Sequence, residues 1–407
     1  MMNVLFGLSR AVVAGFLLFH LSLCSAQTGL PRVFLLDPAT MVRVRTACLA
    51  NEATVQPELK QLRKDAEKLL KETPVSVMEK TQLPPSGDKH DYLSLARYYW
   101  PDPKKPDGLP YISRDGETNP EINTIPDHGH LGRMVSIVHT LAVAYYLTGN
   151  ESYAEHAAKF VRTWFLDTAT RMNPNLNFAQ GAKGVDAGRP SGLIDSRGLA
   201  QVVDGIGLLA GYKGWTAEHQ KGMVQWFSQY LEWLLTSKNG LGESAASNNH
   251  GVFFDVQAAT IAMFVGKTDV ARRIVEEAKA KRIGKQIEPD GSQPRELART
   301  TSQHYVRFNL EAFFLLASLS ANLGVDLWNY RTEDGRGIRK AMDWVLPFMR
   351  GEKEWTHKQI KMFDTAEYYP LLVQASIQYQ DPSYAELAWK LKGAQGAFDR
   401  IHLRVGK

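Results

Sequence analysis

The chain has 407 residues, of which 44% are hydrophobic and 22% charged, and its formal net charge is +5. This composition excludes global disorder and allows a large core. The small positive charge is compatible with an anionic ligand but, spread over so many residues, identifies none. Only Cys48 follows residue 26, so the chain beyond that point has no intrachain disulfide and no zinc site built on paired cysteines.

Residues 1–26 have the pattern of a secretory signal peptide. Arg10 is their only charged residue, the apolar run AVVAGFLLFHLSL follows it, and CSA ends the segment. The apolar run is too short to span a membrane, and cleavage is predicted after Ala26. A lipoprotein anchor at Cys24 is the alternative, although the bulky Leu23 precedes it where small residues are usual. We therefore expect a secreted or periplasmic protein.

Between the signal peptide and residue 130 the sequence is irregular. It predicts a helix over about 56–72, followed by a long ordered loop over about 84–126, because proline and glycine interrupt every pattern there. Such loops in compact proteins are usually functional. Aromatic rings stack on sugars and cations pair with acids, although the same aromatics could simply pack on the core. The candidate substrate-binding residues of this loop are Tyr99, Trp100, Lys104 and Arg114.

From about residue 130 onward the sequence reads as successive helical hairpins. The segment RMVSIVHTLAVAYYL places Met134, Ile137, Val138, Leu141 and Tyr145 on one helical face. Comparable pairs of helical segments are predicted at 198–212 with 216–236, 250–265 with 268–282, 303–323 with 335–350, and 364–380 with 382–397.

Repeated antiparallel hairpins cannot bury their apolar faces alone, so we expect an all-α fold. The predicted architecture is an α/α toroid, an incomplete barrel of helical hairpins with long loops over its cleft, and it forms one domain over residues 27–407. An open solenoid is the alternative. The glycine-rich segment 171–198 carries Arg189 and Arg197, which we expect to point into the cleft by analogy with other toroids.

The segment DHGHLGR at 127–133 contains two histidines but lacks the helical HExxH spacing of a zinc site. No third distant ligand stands out. We therefore expect no metal and no cofactor, and we treat His130 and Arg133 as candidates for substrate contact. No nucleic acid or membrane span is expected either.

Two stretches carry the candidate chemistry. SNNHGVFFD, at 247–255, begins an apolar helix, where Ser247 and Asn248 suit capping and Asn249 and His250 suit an anionic ligand at the positive end of the helix. The second stretch is DGSQPRELARTTSQHY, at 290–305.

Arg299 follows His250 by 49 residues, enough for one hairpin to run out and return. We therefore predict that Asn249, His250, Arg299 and Tyr305 converge at one end of the molecule. Such a set fits β-elimination from a uronic acid. Arg and Asn neutralise the carboxylate so that C5 can lose its proton, while a base and an acid act at C5 and at the C4 oxygen. Arg299 would lower the high pKa of a tyrosine base.

These motifs resemble the alginate lyase domain family, polysaccharide lyases on an α/α toroid, and most closely its branch numbered thirty-eight. The resemblance spans roughly 88–310 and includes DYLSLARYYWPDP, DGLPYISRDGETNPE and NPNLNFAQ. It implies cleavage of (1→4)-linked polyuronate, with the family's Asn–His pair at Asn249 and His250, its arginine at Arg299 and its tyrosine at Tyr305. In the branch numbered five, one further residue separates arginine from tyrosine. His304, also a candidate for substrate contact, and Arg307 are therefore the alternatives to Tyr305.

The resemblance implies two routes. For mannuronate, whose H5 and O4 lie on the same side, tyrosine acts as base and acid. For guluronate, His250 is the base and Tyr305 the acid. The sequence leaves open which uronate is preferred, whether cleavage is endo or exo, and the oligomeric state.

Two other functions were considered. An α/α-barrel glycoside hydrolase acting on uronides would need a carboxylate pair, for which Asp255, Asp290 and Glu296 are available. A non-catalytic polyuronate-binding protein would use the same aromatic and basic residues.

Overall fold

The computed structural model describes residues 29–392, so the predicted signal peptide lies outside the described residues. Within them, no helix is long and apolar enough to cross a membrane. The α-helices of this part of the chain are α1 (Pro38–Leu49), α2 (Gln56–Leu69), α3 (Asp127–Thr148), α4 (Glu151–Val161), α5 (Leu199–Leu208), α6 (Ala217–Thr236), α7 (Lys238–Ser244), α8 (Asn249–Phe264), α9 (Thr268–Ala278), α10 (Gly284–Gln286), α11 (Pro294–Leu297), α12 (Ser302–Ala321), α13 (Ile338–Met349), α14 (Tyr369–Gln378) and α15 (Pro382–Lys392).

The helices pair into antiparallel hairpins that form an α/α toroid, which confirms the predicted all-α fold. Helices α3, α8 and α14 pack against the helices that follow them, and α12 packs against α13. The first helices of successive hairpins also pack on one another: α3 on α5, α5 on α8, α8 on α12, and α12 on α14. These five helices form the inner layer. Helix α1 and the short helices α7, α10 and α11 were not predicted.

Burial separates the inner helices from the outer ones. In α8 nearly every residue is buried, so the helix has apolar contacts on all its faces and no polar stripe. In α9, by contrast, Ala271, Ile274, Val275 and Ala278 form one buried stripe and the opposite face is polar. The sequence pattern therefore sets the layer: continuously apolar helices line the inside of the toroid, and amphipathic helices cover them.

Short strands tie the long loop to the glycine-rich segment. Strand β1 (Leu93–Leu95) pairs in parallel with β4 (Phe178–Gly181), and β2 (Tyr99–Trp100) pairs in antiparallel with β3 (Ile112–Ser113).

Buried Asp195 reinforces the β1–β4 link, because it accepts hydrogen bonds from Tyr92 (3.0 Å), Ser94 (2.7 Å) and Gln180 (2.7 Å). Both irregular segments are thus fixed at the same end of the toroid.

A buried ion pair fixes the turn that precedes α8. Arg282 donates to both carboxylate oxygens of Asp255, at 2.7 and 3.0 Å. The same guanidinium donates to the carbonyl oxygens of Ser244 and Ala246. Only 3% of the Arg282 side chain and 7% of the Asp255 side chain are exposed. The position of the SNNHG stretch therefore depends on this pair.

Replacing Arg282 with methionine should lower the free energy of unfolding by about 3–5 kcal/mol, because it leaves Asp255 buried without its counter-charge. Urea denaturation followed by circular dichroism measures the loss. The double variant Arg282→Met/Asp255→Leu should recover most of it. Lys281→Met, which removes an exposed pair with Glu277, is the control and should cost less than about 1 kcal/mol. Equal stabilities for the two single variants would contradict the role of the buried pair.

Candidate active site

A cleft of about 470 Å³ opens at the end of the toroid where the two irregular segments meet. Asn249, His250, Arg299 and Tyr305, predicted to converge, all line it. Of the other predicted site residues, Tyr99, Arg189, Arg197 and His304 line it as well.

The first turn of α8 is satisfied by a cap and a buried carboxylate. The side chain of Asn248 caps the helix by accepting from the His250 N–H at 3.3 Å, as predicted for that residue. Glu296 accepts from the Asn249 backbone N–H at 2.7 Å and from its amide Nδ2 at 2.8 Å. Burial raises the pKa of Glu296, and the two Asn249 donors offset part of that rise. The two sequence motifs therefore touch directly.

Another buried carboxylate orients His250. The Oε1 atom of Glu243, on α7, lies 2.6 Å from His250 Nδ1. Burial alone would lower the pKa of His250, but the charge of Glu243 and its hydrogen bond outweigh burial, so that pKa is raised. Because Nδ1 is engaged, Nε2 is the ring nitrogen left for a substrate.

Asp115, from the long loop, holds the guanidinium of Arg299. Its Oδ1 accepts from Arg299 Nε at 3.0 Å and from Arg299 Nη2. Its Oδ2 accepts from the backbone N–H of Thr300 at 2.9 Å and from the Thr300 hydroxyl at 3.0 Å. Burial alone would lower the pKa of Arg299, but the hydrogen bond to Asp115 and the charges of Tyr305, Asp115 and Glu296 together outweigh burial, so the pKa is raised. Arg299 is therefore a fixed cation.

Tyr305 lies between a cation and a second phenol. The guanidinium carbon of Arg299 is 3.5 Å from the centre of the Tyr305 ring, and the Tyr98 hydroxyl is 2.9 Å from the Tyr305 hydroxyl. Burial raises the pKa of Tyr305 well above its usual value, and the Arg299 cation offsets only part of this. Arg299 lowers this pKa as expected, but burial outweighs the cation, so the net shift is upward and the resting phenol is neutral.

Two further arginines of the cleft, Arg97 and Arg197, have no carboxylate partner within residues 29–392. Arg197 donates to the Ile194 carbonyl and lies over the Phe308 ring, while Arg97 contacts His128 Nε2 at 3.3 Å. Arg189, by contrast, is paired with Asp186 at 2.8 Å. Two exposed arginines thus add positive charge beside the four convergent residues.

Five predicted substrate-binding residues lie outside the lining of the cleft. The indole of Trp100 donates to the Glu117 carbonyl and Arg114 stacks over its ring. His130 lies 3.7 Å from Glu79, and Arg133 pairs with Glu72. The fifth, Lys104, is exposed at a turn where its backbone N–H bonds to Asp102. Their placement gives no support to the predicted contacts.

Several cleft residues were not predicted, namely Arg97, Tyr98, Asp115 and His128. Glu243, which lies behind the cleft against His250, was not predicted either. His128 lies in the DHGHLGR segment, which was considered as a metal site. Its Nδ1 faces Asp195 at 3.4 Å. Among the described residues, no group of three or more His, Cys, Asp or Glu side chains is placed to hold a metal ion.

Comparisons with known proteins identify the family of the chain. The alginate lyase family matches residues 76–355, and the chain belongs to that family. It is accordingly a polysaccharide lyase. The comparison with curated proteins found no match.

Several solved structures resemble the chain, among them the three that follow. An alginate lyase from Bacteroides ovatus is 39% identical, with a TM-score of 0.87 over 92% of this chain and 99% of that one. Alginate lyase A1-III from Sphingomonas species A1 is 16% identical, with a TM-score of 0.55 over 92% and 95%. A histidine-to-alanine variant of A1-III, complexed with a tetrasaccharide, is 15% identical, with a TM-score of 0.56 over 88% and 98%.

Replacing Asp115 with asparagine should lower kcat/KM on polyuronate about 100-fold, because the Arg299 guanidinium loses the charge that fixes its position. Steady-state kinetics measures the change. Asp102→Asn alters the same loop away from the cleft and should leave kcat/KM unchanged. An Asp115→Asn enzyme with unaltered kcat/KM would show that Arg299 keeps its position without the ion pair.

Proposed function

We propose that the protein cleaves alginate by β-elimination, giving oligouronides with a C4–C5 double bond. The observation that carries this is the convergence of Asn249, His250, Arg299 and Tyr305 on one cleft. The set offers donors for a carboxylate and proton-transfer groups for C5 and the C4 oxygen. Arg97 and Arg197 add unpaired positive charge for the neighbouring uronates of an anionic chain.

The first task is to neutralise the substrate carboxylate. Arg299 is held by Asp115 with its charge intact. Asn249 lines the cleft and gives one amide hydrogen to Glu296, and we assign its second amide hydrogen to the substrate carboxylate. Preorganised donors of this kind stabilise the enolate-like charge that develops when C5 loses its proton.

The second task is proton transfer. The neutral phenol of Tyr305 can protonate the C4 oxygen as the glycosidic bond breaks. For mannuronate, Tyr305 must first lose its own proton to solvent, and the Arg299 cation 3.5 Å from its ring centre stabilises the resulting phenolate. The phenolate then takes the C5 proton and returns it to the C4 oxygen. For guluronate, whose C5 proton lies on the opposite face, Nε2 of His250 acts as base.

The choice of alginate rests on similarity. The Bacteroides ovatus structure is described as an alginate lyase, and it covers nearly all of this chain at 39% identity. The A1-III variant complexed with a tetrasaccharide has the same fold. Export from the cytoplasm is part of the proposal too, and it rests on the pattern of residues 1–26.

The carboxylates considered for hydrolysis have other partners. Asp255 is paired with Arg282, Asp290 accepts from the Ser292 N–H at 2.8 Å, and Glu296 holds Asn249. A hydrolase would need two of them facing the glycosidic bond.

Purified enzyme acting on polymannuronate, polyguluronate and glucuronan should produce ultraviolet absorbance, since the new double bond is conjugated with the carboxylate. Chain shortening without that absorbance would indicate hydrolysis, and binding without either would indicate a non-catalytic protein. Product sizes from the same panel separate endo from exo cleavage.

Replacing Tyr305 with phenylalanine should reduce kcat about 10²- to 10⁴-fold, because the hydroxyl that transfers the proton is lost. Polyuronate affinity, measured by calorimetry, should stay within a few-fold. Tyr111→Phe, whose hydroxyl bonds to Glu121 outside the cleft, is the matched control and should retain activity. A fully active Tyr305→Phe enzyme would show that another residue, His304 or Arg307, protonates the C4 oxygen.

A further inference from the structure

Glu243 is a buried carboxylate that contacts His250, one of the residues that line the cleft. Only 2% of it is exposed, and its Oε1 lies 2.6 Å from Nδ1 of His250. The two residues are seven apart in sequence and lie on different helices, α7 and α8. The contact therefore depends on how the short α7 is placed against the start of α8.

The fold holds α7 tightly. Ser237 caps it by accepting from the Gly240 N–H at 3.0 Å. A Cβ atom at Gly240 would lie 2.0 Å from the Leu234 carbonyl oxygen, so this turn requires glycine. At the other end, Arg282 donates to the Ser244 carbonyl at 2.8 Å. The Glu243 backbone is thus fixed on both sides.

The charges around His250 come from several elements. Glu243 on α7 and Glu296 on α11 raise its pKa, and Arg299, which follows α11, lowers it. Tyr305 from α12, together with Asp195 and Arg197 from the glycine-rich segment, lines the same cleft. Among these groups only Glu243 is hydrogen-bonded to the imidazole ring.

We propose that Glu243 is a positioning residue that fixes the tautomer and basicity of His250 and thereby determines cleavage of guluronate rather than mannuronate. This rests on the proposed β-elimination. A carboxylate that accepts from Nδ1–H leaves the lone pair on Nε2, the atom that removes the C5 proton of guluronate. The C5–H electron pair moves into the forming C4–C5 double bond, the C4 oxygen leaves with the proton of Tyr305, and Glu243 stabilises the resulting imidazolium.

Cleavage of mannuronate uses a different base. There the phenol oxygen of Tyr305 handles both protons, and His250 is needed only near the substrate carboxylate. Loss of the Glu243 charge should therefore affect one epimer much more than the other. A purely structural role would affect both alike.

The test compares Glu243→Gln with the parent enzyme on polyguluronate and polymannuronate. Glutamine has the same shape but no charge. We expect kcat on polyguluronate to fall about 100-fold or more and kcat on polymannuronate to stay within about threefold. The base must be deprotonated, so kcat/KM on polyguluronate rises with pH through the raised His250 pKa. In Glu243→Gln any remaining rise of kcat/KM should occur at lower pH, because the carboxylate charge that raises the pKa of His250 is gone.

Two variants serve as matched controls. Glu296→Gln weakens the hold on Asn249, which both routes need, and should lower the two rates together. Glu276→Gln removes an exposed pair with Lys279 and should change neither rate. Retained polymannuronate activity in Glu243→Gln also shows that the variant is folded.

The outcomes separate the two proposals. Parallel losses on both substrates, an unmoved pH profile, or a parent enzyme with no activity on polyguluronate would overturn the role of Glu243 alone. A parent enzyme that yields no ultraviolet-absorbing product from any polyuronate would overturn the proposed function, and this inference with it.

Discussion

The contact between Glu296 and Asn249 is the point on which the cleft depends, because it joins the two sequence motifs at the first turn of α8. A helix start has free N–H groups and partial positive charge, so a buried carboxylate is stable there despite the cost of its burial. Once Glu296 is fixed, Arg299 three residues later is brought to the same end of the toroid as His250. A short polar contact thus assembles residues from separate hairpins.

The same physical pattern recurs around the cleft. Glu243 holds His250 and Asp115 holds Arg299, so one carboxylate orients the imidazole and another orients the guanidinium. Cations crowded into a half-buried cleft would otherwise repel one another and move toward solvent. Arg197 lacks such a partner within the described residues and is exposed, which leaves its charge available to a polyanion.

Sequence reasoning predicted the hairpins and brought together the residues of SNNHG and ELARTTSQHY, because helical periodicity and hairpin length are local properties. It did not find Asp115, whose contact with Arg299 joins residues 184 positions apart. It did not find Glu243 either, since α7 is too short for a periodic signal. Trp100 and Arg114 were placed in the cleft on composition alone. Composition does not show which face of the β2–β3 hairpin is turned toward the cleft.

In the β-elimination that we propose, a neutral Tyr305 would allow one cleft to act on both epimers. A phenol with a lowered pKa would be a ready base but a poor acid, and it would favour mannuronate. Burial instead keeps the proton on Tyr305, while Arg299 against its ring limits the cost of losing that proton. Tyr305 is thus suited to donate its proton at once, whereas it can accept the C5 proton only after it has lost its own proton to solvent. In the guluronate route that we propose, the base lies on the other face of the sugar. That base is His250, which Glu243 holds through Nδ1.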